Sequence, residues 1–164
     1  TIIFDLTVAI EVGLIIACLL FMKRMSETTD VKVIMDEINE ESDIVKGNLE
    51  HLTIPQGVEV YEINGPYFFG AGNKFEEIMA AFGDRPKVRI IRMRKVPFVD
   101  STGIHNLTNL CLMSKNEGIQ IVLSGVNEKV HSQLQKAKFY DLLGKENICS
   151  HINLALERAK EIIK

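Results

Sequence analysis

The stretch Pro97-Phe98-Val99-Asp100-Ser101-Thr102-Gly103 joins a strand-like run, Val88 to Met93, to a helix-like run that opens near Ile104. Strand, tight polar turn and helix in that order mark a crossover unit of an α/β domain. The turn also places hydroxyls and a carboxylate at a helix N-terminus, where unpaired backbone N–H groups and the helix dipole favour negative charge. Two compatible readings stay open there. Asp100 or Ser101 caps the helix, which contributes about 1 kcal/mol. Alternatively, a phosphate placed on Ser101 uses the same electrostatic support as a regulatory mark.

Working outward, the helix after Gly103 carries Leu107, Leu110, Cys111 and Ser114 on one face and ends near Gly118. Ile119 to Leu123 reads as a strand, and Asn127 to Ala137 and Ile152 to Ile163 as amphipathic helices. Upstream, Val58, Val60 and Ile63 alternate in part with Glu59 and Glu62, the pattern of a half-buried strand. Asn64-Gly65-Pro66 signals a turn, after which Tyr67-Phe68-Phe69 is expected to return as a hairpin partner. Gly70-Ala71-Gly72-Asn73 is expected to open a helix with Phe75, Ile78, Met79 and Phe82 on its apolar face. Strand-helix repetition with short connections implies parallel pairing and right-handed crossovers. The expectation is an α/β domain over residues 52–164: a single mixed sheet of four or five strands with helices packed on it.

Residues 1–25 differ in kind. Ile2 to Met22 is apolar apart from Asp5, Thr7 and Glu11, and its 21 residues would span about 31 Å as a helix. Its 13 Leu, Ile, Val and Phe residues favour insertion by about 6 kcal/mol, against about 3 for a central carboxylate. The balance favours a transmembrane helix that packs against others. Lys23-Arg24 follow at once, which places everything downstream in the cytoplasm. A signal peptide would carry its cations before the apolar run. A soluble core helix would account for the uninterrupted Val12 to Met22, but not for apolar residues on every face. Glu11 either lines a pathway or sits at a helix-packing seam. The run begins at Thr1 rather than Met, so a piece of a longer polypeptide is expected. Residues 26–51 turn acidic and irregular, a solvated linker in which Val31 to Met35 forms a short strand or docking contact.

Composition narrows the chemistry. A net charge of −3 argues against a nucleic-acid partner. The three cysteines, Cys18, Cys111 and Cys149, are far apart and read as free thiols. The four histidines show no metal-ligand spacing. Gly65, Gly70 and Gly72 make neither a dinucleotide fingerprint nor a phosphate loop, so no cofactor is expected. Ser101 lacks a nucleophile elbow, and no enzyme activity is expected. Arg89, Arg92, Arg94 and Lys95 form a basic run, expected to be solvated at a strand end, with an anionic docking patch as the alternative.

Several longer motifs resemble one family. Residues 60–77, 92–105, 123–126 and 155–159 are similar to the STAS domain attached to SulP-type anion transporters, and Phe4 to Gly13 with Phe21 to Met25 is similar to the last membrane helix of those carriers. The resemblance implies helices on one side of the sheet and a domain hanging from a carrier in the plasma membrane, the inner membrane of a bacterium, on its cytoplasmic side. It implies secondary transport of sulfate, bicarbonate, chloride or dicarboxylates, the anion binding in an upstream membrane domain outside this chain. It also implies a homodimer and a regulatory protein or kinase partner, because soluble relatives, the anti-sigma factor antagonists, are phosphorylated at the serine matching Ser101. The rival reading is a soluble, phosphorylation-switched module of that second kind.

Overall fold

The computed structural model describes residues 6–28, 30–34, 37–38, 52–67 and 86–164. Helix α1 (Leu6–Thr28) is followed within two residues by strand β1 (Asp30–Ile34). Two short strands, β2 (Glu37–Ile38) and β3 (Leu52–Thr53), pair antiparallel with each other. The main sheet adds β4 (Val58–Asn64), β5 (Val88–Lys95), β6 (Gln120–Ser124) and β7 (Ile148–Cys149) to β1. Its order is β1-β4-β5-β6-β7, with β1 antiparallel to β4 and the others parallel. Around it lie α2 (Ser101–Asn116), α3 (Glu128–Lys136), α4 (Phe139–Leu143) and α5 (Ile152–Ile163).

Strand side chains alternate between faces, and β5 divides its apolar residues accordingly. Ile91 and Met93 join Tyr61, Ile63, Ile121 and Leu123 beneath Leu107, Leu110 and Cys111 of α2, Val130 and Leu134 of α3, and Phe139 and Leu143 of α4. Val88 and Ile90 join Val58, Val60 and Val122 beneath Ile152, Ala155, Leu156 and Ala159 of α5. With helices on both faces, β5 is buried from Val88 to Met93, its Arg89 and Arg92 included.

Three expectations change. Helices cover both faces of the sheet, because α5 has its own core cluster opposite α2, α3 and α4. Tyr67 does not return as a hairpin partner of β4; it forms an isolated parallel bridge with Val99. Both neighbours of β4 are taken, by β1 and β5, so β4 is buried through most of its length rather than half-buried. Of Val31 to Met35, read as a strand or a docking contact, Val31 to Ile34 belong to the edge strand β1, and Met35 lies outside the described residues. The expected helix from Gly70 to Phe82, with Phe68 and Phe69 before it, lies outside the described residues.

Cys111 faces the α2 side of the core, and burial pushes its thiol from 9.0 up to about 12. Below about pH 9 the thiol is neutral in both states; between 9 and 12 only the unfolded chain ionises it, so stability should fall as pH rises across that window. At pH 8, iodoacetamide should modify Cys111 at least about 100-fold more slowly in the folded chain than in urea, read by mass spectrometry. Equal rates would contradict its burial.

Candidate functional site

The candidate site is the passage from β5 into α2, and three other parts of the chain hold it in place. Within the loop, Val96 and Val99 are buried while Pro97 and Phe98 are exposed. The Val96 N–H donates to the Met93 carbonyl at 2.9 Å. From the segment after β4, the N–H of Gly65 donates to the Lys95 carbonyl and that of Tyr67 to the Phe98 carbonyl, each at 3.2 Å. From α3, Asn127 donates through Nδ2 to the Val96 carbonyl at 2.6 Å, and Gln133 Oε1 accepts from the Val99 N–H at 3.2 Å. Asn127 also caps its own helix, Oδ1 accepting from the Val130 N–H at 3.0 Å. Neither Asn127 nor Gln133 stood out in the sequence, although an Asn just before an apolar-periodic run is itself a cap signal.

At the helix start the choice between caps is settled by geometry. Asp100 has extended backbone angles and its Oδ1 accepts from the Gly103 N–H at 2.6 Å, while the Asp100 carbonyl accepts the first helical bond from Ile104 at 2.9 Å. Ser101 is exposed at the first helical position and Thr102 is half-buried. Gly103 is required by crowding rather than by an unusual φ. A Cβ there would overlap the Tyr67 carbonyl oxygen and sit 2.9 Å from Val99 Cγ1. Only a glycine lets α2 begin this close to the chain crossing beneath it.

This geometry changes the electrostatic picture for Ser101. The positive helix end is already met by the Asp100 carboxylate, so a phosphate on Ser101 would share the site with an existing negative charge. Its exposed hydroxyl is reachable, yet the added charge would compete with the cap.

The basic run also divides in a way that solvation alone does not describe. Arg89 and Arg92 are buried. Arg92 Nη1 lies 3.4 Å from Glu62 Oε1, and Arg89 Nε lies 3.4 Å from Glu59 Oε2, as buried charges require a partner. Tyr61 donates to Glu59 at 2.7 Å, and burial together with that carboxylate pushes the Tyr61 hydroxyl upward. Arg94 and Lys95 are exposed, as expected for a strand end. Lys95 Nζ reaches Glu62 Oε2 at 3.2 Å with its side chain 53% exposed. Glu11 is exposed along α1, far from this site in the chain, and Asp5 lies outside the described residues. Among the described residues no cluster of three His, Cys, Asp or Glu could hold a metal. A cleft of about 310 Å³ at the other end of α2 is lined by Cys111, Lys115, Asp141 and Glu146, of mixed charge.

A mixed five-stranded sheet with a capped Asp-Ser-Thr-Gly turn at the carboxyl end of its central strand defines a STAS domain, and the STAS family model matches residues 51–157. The chain belongs to this family, in the SulP-type sulfate transporter group. It is 38% identical to a sulfate transporter family protein from Wolinella succinogenes, with a TM-score of 0.65 over 68% of this chain and 92% of that one. It is 27% identical to Sulfate transporter 1.2 of Arabidopsis thaliana over 92% of this chain and 25% of that protein. The murine Solute Carrier 26 family member A9 anion transporter shares the fold, with a TM-score of 0.65 at 20% identity over 94% of this chain and 25% of that one. The chain thus spans about a quarter of the length of the curated relatives it matches.

Two substitutions probe the crossing. Gly103→Val should destabilise the domain by about 1–3 kcal/mol in urea unfolding, because the Tyr67 backbone cannot retreat cheaply. An unchanged midpoint would contradict the close approach. Asp100→Ala should cost about 1 kcal/mol through loss of the cap, with Asp100→Asn retaining most of it.

Proposed function

We propose that this chain is the end of a secondary anion transporter: its last membrane helix, a short connection and a cytoplasmic STAS domain that regulates or assembles the carrier and catalyses no reaction. The domain boundaries on this reading are 1–25, 26–51 and 52–164, with β1 reaching back from the connection into the sheet. The transported anion, sulfate, bicarbonate or a dicarboxylate, binds in an upstream membrane domain. The carrier works as a homodimer in the plasma membrane, the inner membrane of a bacterium.

One observation supports this reading above the rest. From Leu6 to Arg24 the helix is long and apolar enough to cross a membrane, and every residue of it is exposed within the chain. A soluble core helix would be buried, and a soluble phospho-switched module has no use for such a surface. The family relatives support the transport role, since those named above are described as sulfate or anion transporters. Asp100, Ser101, Thr102 and Gly103 serve as the regulatory turn, Ser101 carrying the accessible hydroxyl. Asp5 and Glu11 are the acids of the membrane segment, and Glu11, on the described helix, faces protein rather than lipid.

Uptake of radiolabelled sulfate, bicarbonate and dicarboxylates by the full-length protein in vesicles tests the reading directly. Saturable uptake of one of them is expected, and it should change in rate with Ser101→Asp. Absence of uptake for every anion would overturn the transport role. Ser101→Asp should keep its far-UV circular dichroism and cost up to about 1 kcal/mol, because its charge faces Asp100 across the helix end. Combining it with Asp100→Asn should recover part of that loss.

A further inference from the structure

Connectivity fixes which edge of the sheet lies nearest the membrane helix. β1 starts at Asp30, two residues after α1 ends at Thr28. Asp30 pairs with Asn64 at the end of β4, and Asn64 is in register with Lys95 at the end of β5. Two Cα steps cover at most about 7.6 Å, and each strand-to-strand step adds about 4.8 Å. The Lys95 Cα therefore lies within about 18 Å of the last residue of α1. The opposite edge, where Val58 pairs with Val88, is farther away by the length of a seven-residue strand, about 23 Å.

What this near edge exposes differs from the rest of the chain. The protein carries a net charge of −3. Yet Lys32, Arg94, Lys95 and Lys129 are exposed on or beside this edge, against the exposed acids Asp30 and Glu128. Asp100 is engaged by the Gly103 N–H, and Glu62 is buried against Arg92 and Lys95. Among these cations stands Phe98, a large apolar side chain 42% exposed at the tip of a loop that backbone bonds hold rigid. An aromatic ring among cations, within reach of a membrane helix bearing Lys23 and Arg24, is complementary to a surface that is anionic outside and apolar just beneath.

We infer that the edge formed by Arg94, Lys95 and Phe98 docks on the cytoplasmic leaflet, the cations contacting anionic phospholipid headgroups and the Phe98 ring seating among them. The inference rests on α1 spanning the membrane, as proposed above. Docking there would hold the domain against the bilayer and turn the Ser101 loop toward it.

The chain contains no tryptophan, so a single introduced indole reports its own surroundings. Phe98→Trp is reconstituted in brominated phosphatidylcholine vesicles with or without about 30% brominated phosphatidylglycerol, and at least about twofold stronger quenching is expected in the anionic vesicles. Adding Arg94→Glu and Lys95→Glu, or raising salt to about 0.5 M, should remove the difference. Met113→Trp, exposed twelve residues further along α2 than Ser101, should stay unquenched in both. Pro97→Trp, also exposed, repeats the readout should Phe98→Trp lose its circular dichroism. Leu14→Trp reports α1 itself and should be quenched in both vesicles. Quenching of Leu14→Trp without charge-dependent quenching of Phe98→Trp would overturn the docking edge and leave the membrane anchor standing. An unquenched Leu14→Trp would overturn both.

Discussion

The pairing of β1 with β4 is the constraint on which the rest of the molecule depends. Five residue pairs, Asp30 with Asn64 through Ile34 with Val60, add the segment after α1 to the sheet, with Val31 buried in the core. A spacer of solvated residues would let the domain swing freely. An integral edge strand two residues beyond a helix leaves only a short tether, because the ladder bonds would have to break to lengthen it. The apolar helix and the folded domain are thereby held close together at this strand, and β4 gains a neighbour on each side.

The end of the sheet where β1 begins gathers a second set of polar groups. At the carboxyl ends of β4 and β5, Glu62 and Arg92 are buried together, while Arg94 and Lys95 emerge into solvent and the chain turns through Phe98 into the capped start of α2. Asn127 and Gln133 of α3 grip that turn from the side, and the Tyr67 carbonyl fits against Gly103 where any side chain would collide. The exposed Ser101 hydroxyl at the end of this loop is presented by a rigid frame, so a charge added to it would act on its surroundings rather than dissipate in loop motion.

Much of this was legible in the residues. The buried strand through Val88, Ile90, Ile91 and Met93 was read from its apolar residues, and the inner face of α2 and the amphipathic α3 and α5 from period-3.6 patterns. The misses have physical causes. Asn64-Gly65-Pro66 marks a turn equally well whether the chain returns beside β4 or crosses to Val99, and only the competition of β1 and β5 for β4 decides. The burial of Arg92 depends on a carboxylate 30 residues away, which no local pattern displays. An amphipathic helix announces an apolar face without saying which side of a sheet it will cover, so α5 was free to take the side opposite α2. At the candidate site, the Asp100 cap was one of two open choices, and the supporting bonds from α3 join residues more than 30 positions apart.

Hydrogen exchange of the β1 amides, measured in the membrane-inserted full-length protein, addresses the central claim most directly. If the membrane helix runs into a strand that belongs to the sheet, the β1 amides bonded to β4 should be protected to a degree approaching those of β4 itself. Exchange of every β1 amide at the rate of an open chain would mean that helix and domain are joined by a loose tether, and the coupling described here would not hold.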